Sequence, residues 1–389
     1  LAAVARDQWT LDPSWAHLNH GSFGATPRAV LEAQSALRAR MERQPVLFMR
    51  ELEGMLDEAR TKAAAFVGAD ADDLAFVRNA TEGVNAVLRS LRLEPGDEIL
   101  VNTHEYNACL NTARFVAERA GARVVTVDFP LRLRTAEEFT GAVMGSVSGR
   151  TRIAMISHIT SPTGLVLPVE PLTRELQAHG VLVLIDGAHA PGMLPLDLNA
   201  LGADFYVGNF HKWVCAPKGA AMLHVRRDRQ PGISPAVISH GRNAERADRS
   251  RFRMEFDWTG TADFTPYLCV PVAIEAVGTM LPGGNNAVMA ANRAKVLAAR
   301  AMLCGALGVE PPVPESFVGS LGAVPLPEDV FPGESVEGVK RRLEAARVEV
   351  PVIARPDCPR LVRLSAHLYN GRDDYQRLAA ALTAGRGAR

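Results

Sequence analysis

Five lysines stand among the 43 basic residues of the chain (Lys62, Lys212, Lys218, Lys295 and Lys340), and one of them closes the run Asp204-Phe-Tyr-Val-Gly-Asn-Phe-His211-Lys212-Trp213. Where a positive charge alone would serve, the chain has mostly taken arginine. A guanidinium stays protonated and forms no imine with an aldehyde, whereas a desolvated amine can. Lys212 therefore points to carbonyl chemistry, with pyridoxal 5′-phosphate (PLP) as the aldehyde. Lys218, between Pro217 and Gly219, is the rival, but a turn of that kind usually leaves a solvated surface amine.

PLP asks a protein for a lysine, an acid at the pyridine nitrogen, a face to stack on the ring, and donors for the phosphate. Asp186 ends the apolar run Val181-Leu-Val-Leu-Ile185, so its carboxylate is poorly solvated and calls for a cationic partner, which a pyridinium supplies. A helix N-cap before Gly187 is the plain alternative. For the phosphate, Arg78-Asn-Ala80-Thr81-Glu-Gly83 reads as a strand running into a helix N-terminus, where amide donors and the helix dipole favour an anion. An ordinary Asn or Thr cap reads the same way. His211 is either a phosphate ligand or a core histidine, and its place beside Lys212 favours the ligand. Tyr106, just past a strand end, could lay its ring on the pyridine or pack in the core.

These residues need a scaffold. Residues 28 to 67 have helical spacing interrupted near Pro45; strands and helices then alternate. Strands are expected at 74–77, 98–101, 123–127, 152–157, 181–185, 205–207 and 220–225, with helices from about Thr81, Asn107, Ala136 and Glu170. The pattern is a doubly covered, mostly parallel α/β sheet, in which ligands sit at the carboxyl ends of strands. The arginine-rich stretch from Gln230 to Arg253 reads as a long loop that either meets a second substrate carboxylate or is a solvated surface. A helix at about 267–280 leads to Pro282-Gly-Gly-Asn-Asn, taken as a hinge. The expected division is a large domain over 25–275 and a small one from 276–389 with the arm 1–24, holding helices near 286–306, 335–347 and 372–384 and short strands near 350 and 361.

Composition narrows the ligand class. With 47% hydrophobic and 22% charged residues the chain can bury a sizeable core, and its 43 basic residues balance 43 acidic ones, so neither nucleic acid nor an anionic membrane is favoured. Small molecules are the expected partners. No stretch has the roughly 20 apolar residues that span a bilayer. The cysteines (Cys109, Cys215, Cys269, Cys304 and Cys358) never form a CxxC pair, so no disulfide framework or metal site is expected and the setting reads as cytoplasmic.

The ordered runs Leu18-Asn-His-Gly-Ser-Phe-Gly-Ala-Thr-Pro27, Arg78-Asn-Ala-Thr-Glu-Gly-Val-Asn85, His104-Glu-Tyr-Asn107, Ser157-His-Ile-Thr-Ser-Pro-Thr-Gly164, Asp186-Gly-Ala-His189, His211-Lys212, Asp257-Trp-Thr-Gly-Thr-Ala-Asp263 and Val362-Arg-Leu-Ser-Ala-His-Leu-Tyr-Asn370 together resemble the class V aminotransferase family of fold type I PLP enzymes. Within it they resemble the branch of isopenicillin N epimerases and related carbon–sulfur lyases. The resemblance implies Lys212 as the Schiff-base lysine, Asp186 at the pyridinium nitrogen, His189 near the phenolic oxygen and Tyr106 on the ring. It places Ala80, Thr81, His211 and Asn209 at the phosphate, and Thr261 at the phosphate of the neighbouring subunit of a homodimer. Arg363 would hold the substrate α-carboxylate, with Asn19, His20, Gly21 and Ser22 lining the substrate side. Ser161 stands where many relatives have an asparagine beside the phenolic oxygen. Cys358, on a tight connection five residues before Arg363, is badly placed for persulfide chemistry.

The implied reaction begins with removal of an α-proton by Lys212. Return of a proton on the far face, from Tyr106 or a histidine such as His20, gives the epimer. Loss of a sulfur group from Cβ gives a lyase, and transamination is the third branch. A scaffold that binds PLP without catalysis would show damage at Lys212, Asp186 or Arg363, and all three are present.

Overall fold

The computed structural model describes residues 3–386, except for the side chain of Pro359. Its centre is a seven-stranded sheet built from β1 (Leu74–Val77), β2 (Glu98–Asn102), β3 (Arg123–Val127), β4 (Thr151–Ser157), β5 (Leu182–Gly187), β6 (Phe205–Asn209) and β7 (Ala221–Val225), in the order β1-β7-β6-β5-β4-β2-β3. β7 runs antiparallel to both of its neighbours and the remaining pairs are parallel. Because β1 lies antiparallel to an antiparallel strand, its carboxyl end falls on the same edge as those of β2, β4, β5 and β6. The sequence expectation of a mostly parallel α/β fold holds.

The sheet is buried on both faces, and the period-2 alternation of its side chains divides them between two cores. Ala154, Ile156, Val183, Ile185 and Tyr206 enter one cluster, while Ile153, Met155, Leu184, Phe205 and Val207 enter the other. Near-continuous apolar runs such as 181–185 are the signature of this double burial.

Helix α1 (Ala80–Ser90) follows β1 directly, and α2 (Asn107–Ala120) follows β2. Both begin at the carboxyl edge of the sheet. The Asn79 side chain accepts the Glu82 amide at 2.9 Å, and Glu82 returns a carboxylate to the Arg78 amide at 2.7 Å, a reciprocal cap that fixes where α1 starts. Further back, helix Arg28–Arg43 stops and Pro45–Val67 begins with its proline at the first turn, where a missing N–H costs nothing.

A second layer carries the antiparallel sheet β8 (Leu321–Pro325), β9 (Val352–Arg355) and β10 (Cys358–Ser365), in the order β9-β10-β8, with helices Gly284–Leu307, Val336–Ala345 and Arg372–Ala384. The sequence reading gave no strand at 321–325, and the helix expected over 267–280 is two pieces, Thr265–Leu268 and Val270–Gly278. Near the N-terminus, Ala16–His17 pairs in parallel with Val348–Glu349, and the Ser365 amide donates to Leu18 O at 3.0 Å. That arm delivers residues 19–22 to the edge of the large sheet.

Candidate active site

The carboxyl ends of β1, β4, β5 and β6 open on a cavity of about 810 Å³ lined by Ala80, Thr81, Tyr106, Ser161, Asp186, His189, Asn209, His211, Lys212, Thr261, Arg363 and Gly21, among others. Residues from eight separate runs of the sequence thus meet in one cleft. Gly24 shows how closely the arm must approach: its φ is +70°, and a Cβ there would lie 2.0 Å from His211 O.

Lys212 sits one turn beyond β6 with Nζ 3.2 Å from His189 Nε2. Burial, with the nearby Arg363 charge adding to it, pulls its amine down to about 7, so a large fraction is neutral and nucleophilic at physiological pH. Trp213 donates its indole N–H towards His189 Nδ1 at 3.5 Å. Burial holds His189 well below the ordinary histidine range, so the ring is neutral.

Asp186 is 3% exposed at the end of β5. Its Oδ1 accepts the Ala188 amide at 3.0 Å and its Oδ2 the Cys109 thiol at 3.3 Å, so both the local cap and an open carboxylate edge are present. Burial raises its proton affinity, and among the described residues no cationic side chain forms an ion pair with it. A buried carboxylate without a cation fits a protonated pyridine nitrogen.

At the other end of the cleft, Asn209 Oδ1 accepts the Ala80 amide at 2.9 Å and so locks β6 to the start of α1. Asn209 thus uses its carbonyl as a brace. His211 directs Nδ1 at Ala220 O, 3.0 Å away, and burial lowers its pKa to about 4. A neutral ring donating from Nδ1 leaves Nε2 as an acceptor, so pairing with a phosphate oxygen requires a proton to be taken up there.

Arg363, on β10, is 4% exposed. It donates to Ser161 O, to Ser22 Oγ at 3.1 Å and to Asn19 Oδ1 at 3.3 Å, while its Nε is buried without a partner. Burial lowers even this guanidinium to about 10. Among the described residues no carboxylate pairs with it. A guanidinium held by neutral oxygens beside a cleft is a receptor for a carboxylate. Ser161 contributes its backbone carbonyl to this contact.

Two candidates stand away from the cleft wall. Asn19 bridges Arg363 and Glu349, donating to Glu349 Oε1 at 2.8 Å. His20 corrects the sequence expectation more sharply: it is fully buried, with Nδ1 2.9 Å from Tyr369 OH, Nε2 3.0 Å from Lys212 O and its ring stacked on His367. It supports the backbone of Lys212 from below and does not face a substrate. Cys215 joins His20 and His367 in this floor, and burial pushes its thiol up to about 12, a protonated state that binds metals poorly. Cys358 is buried on β10, its thiol 3.3 Å from Arg360 O. Lys218 is exposed, near Thr26 Oγ1.

Glu105, Ser157 and Cys109 carry no spacing that sets them apart in the sequence. Glu105 is 5% exposed; it accepts the Ser157 amide at 2.8 Å, the Ser157 hydroxyl and the Asn102 carboxamide. Burial, with the Asp186 charge adding to it, pushes its carboxyl to about 8. The available signal was weaker than for Asp186: Glu105 stands three residues past the end of a buried strand, whereas Asp186 is at the strand end itself.

The sequence profile of the aminotransferase class-V family matches residues 24–254. The isopenicillin N epimerase of Amycolatopsis lactamdurans is 37% identical over 98% of this chain and 97% of its own length. This chain belongs to the class-V aminotransferase family. It is therefore a PLP-dependent enzyme, as its donor set indicates. A probable chloroplastic L-cysteine desulfhydrase of Arabidopsis thaliana is 30% identical over 95% of the chain and 83% of that protein. Among solved structures, a mutant of C-DES with glycine covalently linked to its PLP cofactor superposes with a TM-score of 0.84 at 22% identity, covering 98% and 99% of the two chains. That likeness bears on the fold, which is the fold type I architecture expected.

Proposed function

We propose that the chain is an isopenicillin N epimerase-like enzyme that inverts the α-carbon of an amino acid or a small peptide-like amino acid. The observation that carries the reading is the pairing, in one cleft, of a partly neutral Lys212 with a buried Arg363 that has no carboxylate partner. Bound PLP would supply an electron sink for the carbanion at Cα. Arg363 would grip the α-carboxylate through its fork and so set the Cα–H bond relative to Lys212. Lys212, released as a free amine, would take the α-proton; its lowered pKa matches that task. Asp186 would hold the ring nitrogen protonated, His189 would stand near the phenolic oxygen, and Ala80, Thr81, Asn209 and His211 would hold the phosphate.

Tyr106 is 48% exposed at the cleft, so its ring is free to cover the cofactor and its hydroxyl to serve the far face. His20, being sealed beneath Lys212, is not the second acid. Thr261 lies on an exposed loop at the same cleft, which supports a homodimer in which each subunit completes the other's phosphate site. Five cysteines, free and buried, suit a reducing cytoplasmic setting. Among the described residues no helix is long and apolar enough to cross a membrane.

The second reading, β-elimination from a cysteine conjugate, is favoured by the similarity to the Arabidopsis desulfhydrase. Incubation of the PLP-loaded protein with an L-α-aminoadipoyl substrate and with S-substituted cysteines in deuterated water separates the two. Deuterium at Cα together with the D-epimer supports the epimerase; pyruvate and a released sulfur compound would move the chain to the lyases.

A further inference from the structure

β2 and β4 are paired only as far as Leu100 and Ala154, beyond which no further register joins them. The two strands part where the crevice opens. Main-chain groups past that point need other partners, because a buried amide without an acceptor is destabilising. Glu105 fills that gap. One oxygen accepts both the Ser157 amide, at 2.8 Å, and the Asn102 carboxamide; the other accepts the Ser157 hydroxyl. A single carboxyl group thus ties the end of β2 to the end of β4.

Two residues of the cleft depend on that tie. Ser157 is the register partner of Asp186 in β5, so the strand end carrying the acid at the ring nitrogen leans on a neighbour held by Glu105. Tyr106 is the next residue in the chain. Among the described residues no side-chain hydrogen bond or ring contact holds Tyr106, and its placement comes from its backbone. That backbone is fixed on one side by Glu105 and on the other by α2, whose Cys109 and Leu110 amides donate to Tyr106 O at 2.9 and 3.0 Å. Glu105 itself does not line the cavity.

We propose that Glu105 is a positioning residue that bridges the parted strand ends and thereby sets both Tyr106 and Asp186 against the cofactor ring. The inference rests on the PLP-site reading above. It also makes a distinction between two substitutions. In Glu105→Gln the carbonyl oxygen can still accept from Ser157 N and Asn102, and the amide can donate to a rotated Ser157 hydroxyl, so the bridge survives. In Glu105→Ala it is lost.

The test compares wild type, Glu105→Ala and Glu105→Gln as full-length protein, titrated with PLP and followed by the induced circular dichroism of the visible cofactor band, which reports how the ring is held. Glu105→Ala is expected to bind PLP roughly tenfold more weakly, the effect of leaving a buried amide unmet, and to lose most of the induced signal. Glu105→Gln should stay within about twofold of wild type, its bonds being conserved. Equal dichroism and affinity in Glu105→Ala would overturn the proposal, as would a Glu105→Gln variant as damaged as the alanine one. Should Glu105→Ala fail to fold, Ser157→Ala removes the hydroxyl half of the bridge and must lower the induced signal; an unchanged signal there overturns it equally. A wild-type protein that gives no cofactor band would instead sink the PLP-site reading itself.

Discussion

Arginines in two regions of the molecule have opposite fates. In the segment from Arg242 to Arg253 they meet carboxylates: Arg242 and Arg251 share Glu255 at 3.3 and 2.7 Å, Arg246 and Arg249 reach Glu53 at 2.7 and 2.8 Å, and Arg253 pairs with Asp57, Asp72 and Asp257. Arg60, 1% exposed in its side chain, joins them through Asp57 and Asp257. In the cleft, Arg363 is just as deeply buried and meets only neutral oxygens. A buried charge that the protein has neutralised belongs to the architecture. One that also lines the cleft without a counter-ion is open to a ligand, and Asp186 repeats the pattern with the sign reversed.

The contrast can be broken at several points. The largest effect is expected at Lys212: Lys212→Ala should lower turnover by about 10³-fold or more, the range of a lost general base, with the fold intact by far-UV circular dichroism. Next, Arg363→Ala should cut kcat/KM by about 10²-fold, mainly through KM, since about 3 kcal/mol goes with the loss of one partner of a buried charged pair. Its apo form should be no less stable than wild type in urea, because an unpaired buried charge is removed. Arg60→Ala is the mirror image: it should cost about 3 kcal/mol of stability by breaking a buried pair and leave KM unchanged. Equal thermodynamic costs at Arg363 and Arg60 would erase the distinction.

Smaller effects sharpen it. The rate at which apo-protein captures PLP should rise with pH and level off above about 7, because the attacking form of Lys212 is the neutral amine and its pKa is about 7. An ordinary lysine would keep gaining rate up to pH ~10. At the exposed rim, Arg246→Ala should leave the urea-unfolding midpoint essentially unchanged, because a solvent-screened pair contributes little.

Local chemistry made much of this visible in the sequence. The apolar run 181–185 announced a doubly buried strand, and an acid at its end announced a site. Lys212 stood out because lysine is rare here and arginine is not. What escaped depends on contacts between distant segments. Arg246 and Glu53, or Arg253 and Asp57, are nearly two hundred residues apart, so the arginine-rich stretch read as a solvated surface, with a substrate-facing loop as the alternative, and its ion pairs stayed out of sight. His20 looked available because the resemblance put residues 19–22 on the substrate side, yet only Gly21 and Ser22 of them line the cleft and the His20 ring turns the other way, to Tyr369 and Lys212 O. Strand β8, Leu-Gly-Ala-Val-Pro over 321–325, is short and carries both glycine and proline, which are depleted in strands. Its partner β10 holds it in place. Glu105 was hidden because its importance lies in where β2 and β4 part, a property of the sheet and not of either strand.

The most direct test of the cleft assignment is to load the protein with PLP, reduce it with borohydride and map the pyridoxyl group by peptide mass spectrometry. The account requires the label on Lys212, with loss of the label in Lys212→Ala. A label on Lys218, or none on the reduced wild-type protein, would contradict it.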